Sequence, residues 1–320
     1  MSYKNTTPVM SSVIYNGTRG VPFKTLIYGL MERGNLKDKY INVLTNDDNM
    51  KKFSKAFTAA SANKNENYEI YEQLGDVSAN KFIVWYAYQR FPQLECPLGV
   101  KVVARLRINY GAKNSFAEIA DNLGFWPYIS AAEDGTDRSA KYRTRHKKDL
   151  LEDVFEAFIG CTEQILDNQY RPGVGYGVVY DIMKNIFDAI PISLKFQDLY
   201  DAKTRMKELF DAFGDVIGSY QFIDTRDYST DADGNTLSFA KSSLYKVPPG
   251  INRRPIKVRV KVNGSDVDEL RPRRLWQLIG SSAATTKSAA QQRASEQGIL
   301  FINRLGYVKD IPMEYRLFCK

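Results

Sequence analysis

The chain has 320 residues, of which 43% are hydrophobic and 26% charged, a composition that is typical of folded proteins and excludes disorder throughout. The longest apolar run is too short to cross a bilayer and the N-terminus lacks the apolar core of a signal peptide, so we expect a soluble, intracellular, cytoplasmic protein. Cys96, Cys161 and Cys319 are widely spaced and predict reduced structural thiols, with neither a disulfide framework nor a zinc site.

The basic residues are concentrated at the C-terminal end. From Ile251 to Lys320 there are 14 Lys and Arg against 6 Asp and Glu, so 14 − 6 = +8, which equals the net charge of the whole chain. A basic end on a neutral body suggests a module that binds polyanions, although a merely basic soluble surface explains the charge equally well. A chain of this length predicts two domains.

Helical periodicity dominates up to about residue 200. It predicts helices over 23–31, 53–60, 68–91, 115–123, 147–166 and 178–189. The last third predicts a helix at 202–213, strands at 219–223, 256–262 and 275–279, and a closing helix at 286–305. Residues 228–254 are expected to form a long irregular connection with one short extra strand at 237–239. In the strand at 256–262, valines alternate with cations, which places them on opposite faces.

Two of the predicted helices carry acids at helical spacing. Glu69, Glu72 and Asp76 fall at i, i+3 and i+7. On the second helix, Asp149, Asp153 and Glu156 form a similar stripe at i, i+4 and i+7. Acids at this spacing are usually a solvated face. Strongly apolar segments follow both stripes, however, and acids gathered between buried helices repel one another unless a cation compensates them. Carboxylate oxygens suit Mg²⁺ or Mn²⁺.

These segments resemble the ribonuclease III family. The family's signature helix is similar to 69–80, EIYEQLGDVSAN, and its second catalytic helix is similar to 153–160, DVFEAFIG. The segment 116–124, FAEIADNLG, resembles the stretch that leads back to the site, and 201–210, DAKTRMKELF, resembles the first helix of the appended double-stranded-RNA-binding domain.

The resemblance implies a mainly α catalytic domain at 1–198 and a small α+β (α-β-β-β-α) double-stranded-RNA-binding domain at 199–320. It implies an endoribonuclease that hydrolyses double-stranded RNA by a two-metal-ion mechanism, leaving 5′-phosphate and 3′-hydroxyl ends with short 3′ overhangs. The implied cofactor is Mg²⁺, with Mn²⁺ able to substitute. The implied partners are double-stranded RNA and a second copy of the chain in a homodimer, with no membrane and no nucleotide cofactor.

Carried over position by position, the metal-binding and catalytic carboxylates are Glu72, Asp76, Asp153 and Glu156, and Glu69 has a supporting role. Asn80 either orients a carboxylate or is a satisfied core amide. The residues expected to bind RNA are Lys203, Arg253, Arg254, Lys257, Arg273, Arg274 and Lys287.

Some positions depart from the family's pattern. Gln73 replaces an apolar residue that projects into the partner subunit, and the Lys pair that opens the last helix is reduced to Lys287. The basic run 141–148 either contacts phosphates or is a solvated segment, and His146, the only histidine, excludes a histidine-based triad or metal site. The alternative function is binding without turnover, as a suppressor of RNA silencing or a structural component of a ribonucleoprotein.

Overall fold

The computed structural model describes residues 13–111, 113–133, 142–230, 236–262 and 265–318. Its internal contacts divide the chain into two compact units, Met1–Ile192 and Ser193–Lys320. Lys141 and Cys319, which entered the predictions above, lie outside the described residues. Among the helices that are described, none combines the length and the hydropathy that crossing a membrane requires.

The N-terminal unit is helical. Its helices are α1 Val21–Arg33, α2 Asp38–Leu44, α3 Asp47–Ala56, α4 Glu69–Arg90, α5 Gly99–Tyr110, α6 Lys113–Asn122, α7 Tyr142–Arg145, α8 Lys147–Gln169 and α9 Val174–Asp188. Two 3-10 turns, Pro92–Leu94 and Trp126–Tyr128, and a pair of short antiparallel strands, β1 Ile14–Tyr15 and β2 Ala131–Ala132, complete it. Helix α5 was not predicted, because basic residues interrupt its apolar positions.

Helix α8 lies at the centre of this unit and is buried from Val154 to Thr162. Phe158 packs against Phe53 and Phe125, with ring centroids 5.9 and 5.7 Å apart. Helix α4 crosses α8 where both helices carry glycine. A Cβ atom at Gly75 would lie 1.7 Å from the carbonyl oxygen of Glu156, and one at Gly160 would lie 2.0 Å from that of Tyr71. The two backbones are therefore in direct contact.

The C-terminal unit combines helices with two separate antiparallel sheets. Its elements are α10 Phe196–Leu199, α11 Ala202–Ile217, β3 Ser219–Thr230, β4 Thr236–Val247, β5 Ile256–Val262, β6 Ser265–Arg271, β7 Gln277–Ala284, α12 Lys287–Arg304 and α13 Met313–Phe318. One sheet has the order β3-β4-β7, and β5 pairs with β6 alone. Helices α11 and α12 cover the three-stranded sheet and bury Met206, Leu209, Leu244, Ile279 and Ala294 against it.

Three predictions for this unit differ from the structure. Residues 236–247, assigned mainly to an irregular connection, form β4, the central strand of the sheet. The strand at 256–262 exists, but it pairs with β6 and does not join that sheet. The seven residues of β6 were not predicted as a strand. The last strand begins at Gln277 and not at Leu275. Strand β4 was not predicted because it contains polar residues such as Ser242 and Ser243, which interrupt the apolar pattern of a buried strand.

The contact between α4 and α8 predicts a large difference between two Gly→Ala substitutions. Gly75→Ala should lower the free energy of unfolding by about 1 to 3 kcal/mol or more, because the new methyl group forces the two backbones apart. Gly177 lies in α9, where an added methyl group would meet no atom within 4 Å, so Gly177→Ala should be neutral or stabilise by up to about 1 kcal/mol. Chemical denaturation measures both, and equal effects would contradict the close contact.

Candidate active site and nucleic-acid interface

The predicted catalytic acids lie along the crossing of α4 and α8. Glu72 and Asp76 are on α4 and Asp153 and Glu156 are on α8, so the glycine contact brings the two acidic stripes to the same place. Glu156 is buried, with 7% of its surface exposed. Glu72 and Asp153 are half-buried, and Asp76 is exposed to solvent. The four carboxylates therefore run from the core of the unit to its surface.

The proximity of these acids perturbs their ionisation. Burial, as the largest cause, and the neighbouring charges of Asp153 and Glu152 together raise the pKa of Glu72 to about 7. Burial likewise raises the pKa of Glu156 to about 8, with added repulsion from Asp76 and Glu152. The charged groups named as raising these two pKa values are all acidic: Glu69, Asp76, Glu152 and Asp153 act on Glu72, and Glu72, Asp76, Glu152 and Asp153 act on Glu156. The cluster thus concentrates negative charge at the helix crossing.

Two neutral side chains hold carboxylates of the cluster. The hydroxyl of Tyr68, which is 7% exposed, donates a hydrogen bond of 2.6 Å to Asp153 Oδ2. Asn80 Nδ2 donates to Asp76 Oδ1 at 2.7 Å and to the Asp76 carbonyl oxygen at 2.9 Å. Sequence reasoning did not single out Tyr68, although its position directly before the first acid of α4 is a usable signal.

Other acids surround the predicted four. Glu69, the supporting residue, is exposed in the first turn of α4 and its charge contributes to the raised pKa of Glu72. Glu152, which the sequence pattern had not indicated, acts on both Glu72 and Glu156. It lies one turn before Glu156 on α8, at a spacing that could have identified it.

The donor set fits a hard divalent cation in its chemistry. All four predicted ligands offer carboxylate oxygens, which Mg²⁺ and Mn²⁺ prefer. A divalent cation would offset their negative charge and so reduce the repulsion that raises the pKa values of Glu72 and Glu156. Within the described residues, the side chains are not arranged as a group of three or more His, Cys, Asp and Glu that could hold a metal ion.

In the described part of the basic run before α8, Arg143 and Lys147 make specific contacts within the unit, whereas Arg145 and Lys148 are exposed. Arg143 is 8% exposed, and its guanidinium lies between the rings of Tyr15 and Trp126, at 3.8 and 3.7 Å from their centroids. Lys147 Nζ forms an ion pair of 2.7 Å with Asp121. The solvated-segment and phosphate-contact explanations were both wrong for Arg143, which is a packed residue.

The seven residues predicted to contact RNA all lie in the C-terminal unit. Lys203 is in the first turn of α11, Lys287 opens α12, Lys257 is on β5, and Arg253, Arg254, Arg273 and Arg274 flank the β5–β6 hairpin. Arg273 Nε donates to the carbonyl oxygen of Arg254 at 2.8 Å, which brings the two arginine pairs together. The lysines lie elsewhere: Lys257 pairs with Asp268 at 2.8 Å, and Lys287 with Asp224 at 2.8 Å.

Comparisons with known proteins agree on one family. The family model of the ribonuclease III domain matches residues 69–163, which contain all four predicted metal ligands. A putative ribonuclease 3 of Invertebrate iridescent virus 6 is 35% identical over 320 residues, covering 96% of each chain. A putative ribonuclease 3 of Frog virus 3 is 45% identical over 184 residues, covering 57% of this chain and 47% of that protein.

Among solved structures, the nuclease domain of ribonuclease III from Campylobacter jejuni aligns with a TM-score of 0.38 at 20% identity. The alignment covers 55% of this chain and 99% of that one.

The hydrogen bond between Tyr68 and Asp153 predicts a positioning role for Tyr68. Tyr68→Phe should weaken Mn²⁺ binding by about 10- to 100-fold, because Asp153 loses the partner that fixes its orientation. Titration calorimetry with Mn²⁺ in the absence of RNA measures this directly. The matched control is Tyr86→Phe, since the buried Tyr86 donates a similar bond of 2.8 Å to Asp188, which is not among the acids that act on Glu72 or Glu156. Unchanged Mn²⁺ affinity in Tyr68→Phe would contradict the role.

Proposed function

Because the chain belongs to the ribonuclease III family, a family of endoribonucleases, we propose that it cuts double-stranded RNA at the acidic cluster between α4 and α8. The observation that carries this proposal is the convergence of four carboxylates from two helices, two of them with pKa values raised to about 7 and 8. A purely structural role gives no reason to gather several acids with raised pKa values at a packed helix crossing. Such a cluster is suited to holding cations against a phosphate backbone.

In this proposal Glu72, Asp76, Asp153 and Glu156 hold two Mg²⁺ ions, which Mn²⁺ can replace. Bound ions of this kind supply an activated water and neutralise the charge that develops on the attacking and leaving oxygens. Tyr68 and Asn80 orient Asp153 and Asp76 through the hydrogen bonds described above. The packed helix crossing excludes water from the inner side of Glu156.

The proposed products carry 5′-phosphate and 3′-hydroxyl ends. Hydrolysis with water attacking phosphorus and the 3′ oxygen leaving gives these ends, and cuts on both strands leave short 3′ overhangs. The C-terminal unit supplies duplex affinity through its excess of basic residues. Binding of duplex RNA without turnover is the alternative. The retention of all four acids favours catalysis over that alternative.

We further propose that two copies of the chain assemble into a homodimer with one acidic cluster for each RNA strand. Helix α4 exposes an apolar stripe on its outer side: Ile70, Leu74, Val77 and Trp85 are 63%, 43%, 67% and 56% exposed. Beside the stripe lies an open groove of about 1330 Å³, whose lining includes Val84, Trp85 and Tyr88. A second copy of the same surface would remove these side chains from water.

Glu156→Gln tests catalysis. The substitution keeps the shape of the side chain and removes a ligand charge, so cleavage of long duplex RNA in Mg²⁺ should fall by at least about a hundredfold. Duplex binding in EDTA should stay within about twofold of the wild type, because the affinity comes mainly from the basic unit. Glu118→Gln, at an exposed position on α6, is the control and should cleave normally. Wild-type cleavage by Glu156→Gln would refute the assignment of the site.

Trp85→Lys tests the dimer. A charge placed in the apolar groove should shift the protein from dimer to monomer in sedimentation at micromolar concentration, since the lysine would lie unpaired at the interface. Val216→Lys is the control, because Val216 is 63% exposed on α11 of the other unit. A wild-type protein that sediments as a monomer while it cuts both strands of a duplex would contradict this assembly.

A further inference from the structure

The C-terminal unit contains an insertion between two neighbouring strands of its sheet. Strands β4 and β7 pair with each other, yet residues 248–276 separate them in the chain. Within that segment β5 and β6 form a two-stranded ribbon that pairs with no other described strand. Pro255 and Pro272 stand directly before and after the ribbon. We call the two flanking segments, 248–255 and 272–276, the stem.

The stem is fixed to the sheet by specific contacts. Trp276 is 7% exposed and packs in a small cluster with Ile223 and Val247, separate from the main core of the unit. Its Nε1 donates to the carbonyl oxygen of Asn252 at 3.3 Å, which ties one side of the stem to the other. The bond from Arg273 Nε to the Arg254 carbonyl oxygen is a second tie. These contacts hold the stem in a defined place.

Positive charge is concentrated in the stem and not in the ribbon. The stem carries Arg253, Arg254, Arg273 and Arg274 and no acid, which gives +4 of the net +8 of the chain. In the ribbon, by contrast, acids face the cations: Lys257 pairs with Asp268 at 2.8 Å and Arg271 with Glu269 at 3.0 Å. None of the four stem arginines forms an ion pair with an acid among the described residues.

Lys203 and Lys287, the cations at the starts of the two covering helices, take part in an internal network. Lys287 Nζ lies 2.8 Å from Asp224 Oδ2, and Asp224 also accepts hydrogen bonds from Ser242 and Gln291. Lys203 Nζ donates to Gln291 Oε1 at 2.8 Å. Although burial opposes it, hydrogen bonding from Lys287, Ser242 and Gln291 holds the pKa of Asp224 below its usual value. A phosphate at the start of α12 would therefore meet a carboxylate that stays charged.

We propose that the stem arginines are the principal phosphate-binding surface of the C-terminal unit, in place of the cations at the starts of α11 and α12. The inference rests on the proposed function, since the phosphates are those of the duplex RNA backbone. Guanidinium groups bind phosphate through two parallel hydrogen bonds, and two arginine pairs on one fixed stem can grip neighbouring phosphates. Trp276, the aromatic residue of the stem, is buried, so bases have no stacking surface there and the contact is to the backbone.

The test compares two sets of substitutions. The stem variant is Arg253→Gln, Arg254→Gln and Arg274→Gln, and it keeps Arg273 because the Nε of that residue holds the stem together. The helix variant is Lys203→Gln and Lys287→Gln. A charge-matched control is Arg33→Gln, Lys64→Gln and Lys195→Gln, three exposed cations outside the stem and outside α11 and α12. Thermal unfolding confirms that each variant is folded.

Binding to a blunt RNA duplex is measured in EDTA over a salt series, so the result does not depend on cleavage. The stem variant should bind at least about tenfold more weakly at about 0.15 M salt, and its plot of log K against log salt should be shallower by about three. The helix variant should change that slope by less than about one, and the control should match the wild type.

Three outcomes would overturn the proposal. The first is an unchanged salt slope in the stem variant, and the second is a larger loss of duplex-RNA affinity in the helix variant than in the stem variant. The third comes from a parallel measurement with heparin, another polyanion: a stem variant that loses heparin binding while it keeps wild-type affinity for duplex RNA. Failure of the catalytic proposal is distinguishable, because it appears as absent cleavage by the wild-type protein in Mg²⁺, whatever the salt slopes in EDTA.

Discussion

The direct backbone contact between α4 and α8 is the constraint on which the rest of the N-terminal unit depends. Only glycine at Gly75 and Gly160 lets the helices approach so closely, and that approach forces the acidic stripes of both helices together. The repulsion among these acids is borne by the packing of α8, whose middle turns are buried on all sides. Stability and chemistry are therefore linked: the aromatic core holds in place a cluster that would otherwise separate.

The sequence predicted the helices of this site well, and for a physical reason. Acids at i, i+3, i+4 and i+7 must share a helix face, so the two acidic stripes could be placed without any tertiary information. The choice of Glu72, Asp76, Asp153 and Glu156 within them came from the resemblance to the family. Periodicity could not predict which neutral side chains form hydrogen bonds with those acids. The bond from Tyr68 to Asp153 joins positions far apart in the chain, and periodicity carries no information about such a pair. The burial of Arg143 between the rings of Tyr15 and Trp126 was not predicted for the same reason.

The C-terminal unit shows the limit of alternation as a signal for strands. Residues 256–262 alternate valine with cations and were correctly predicted as a strand, but alternation does not identify the partner strand. The central strand β4 was missed because its buried position Ser242 is polar and is satisfied by a hydrogen bond to Asp224. A serine whose buried hydroxyl is hydrogen-bonded to a neighbouring strand cannot be distinguished from a loop serine by sequence alone.

The ribbon also bears on how the C-terminal unit folds. Pairing β4 with β7 requires closure of the chain over residues 248–276, and the entropic cost of closure grows with the length of the loop. The ribbon places Ile256 opposite Arg271, so once this local hairpin has formed, only the two short stem segments remain to be ordered. A hairpin forms in about 1 to 10 μs, ahead of most long-range pairing. Prior formation of the hairpin thus shortens the effective loop that must close before β4 can pair with β7.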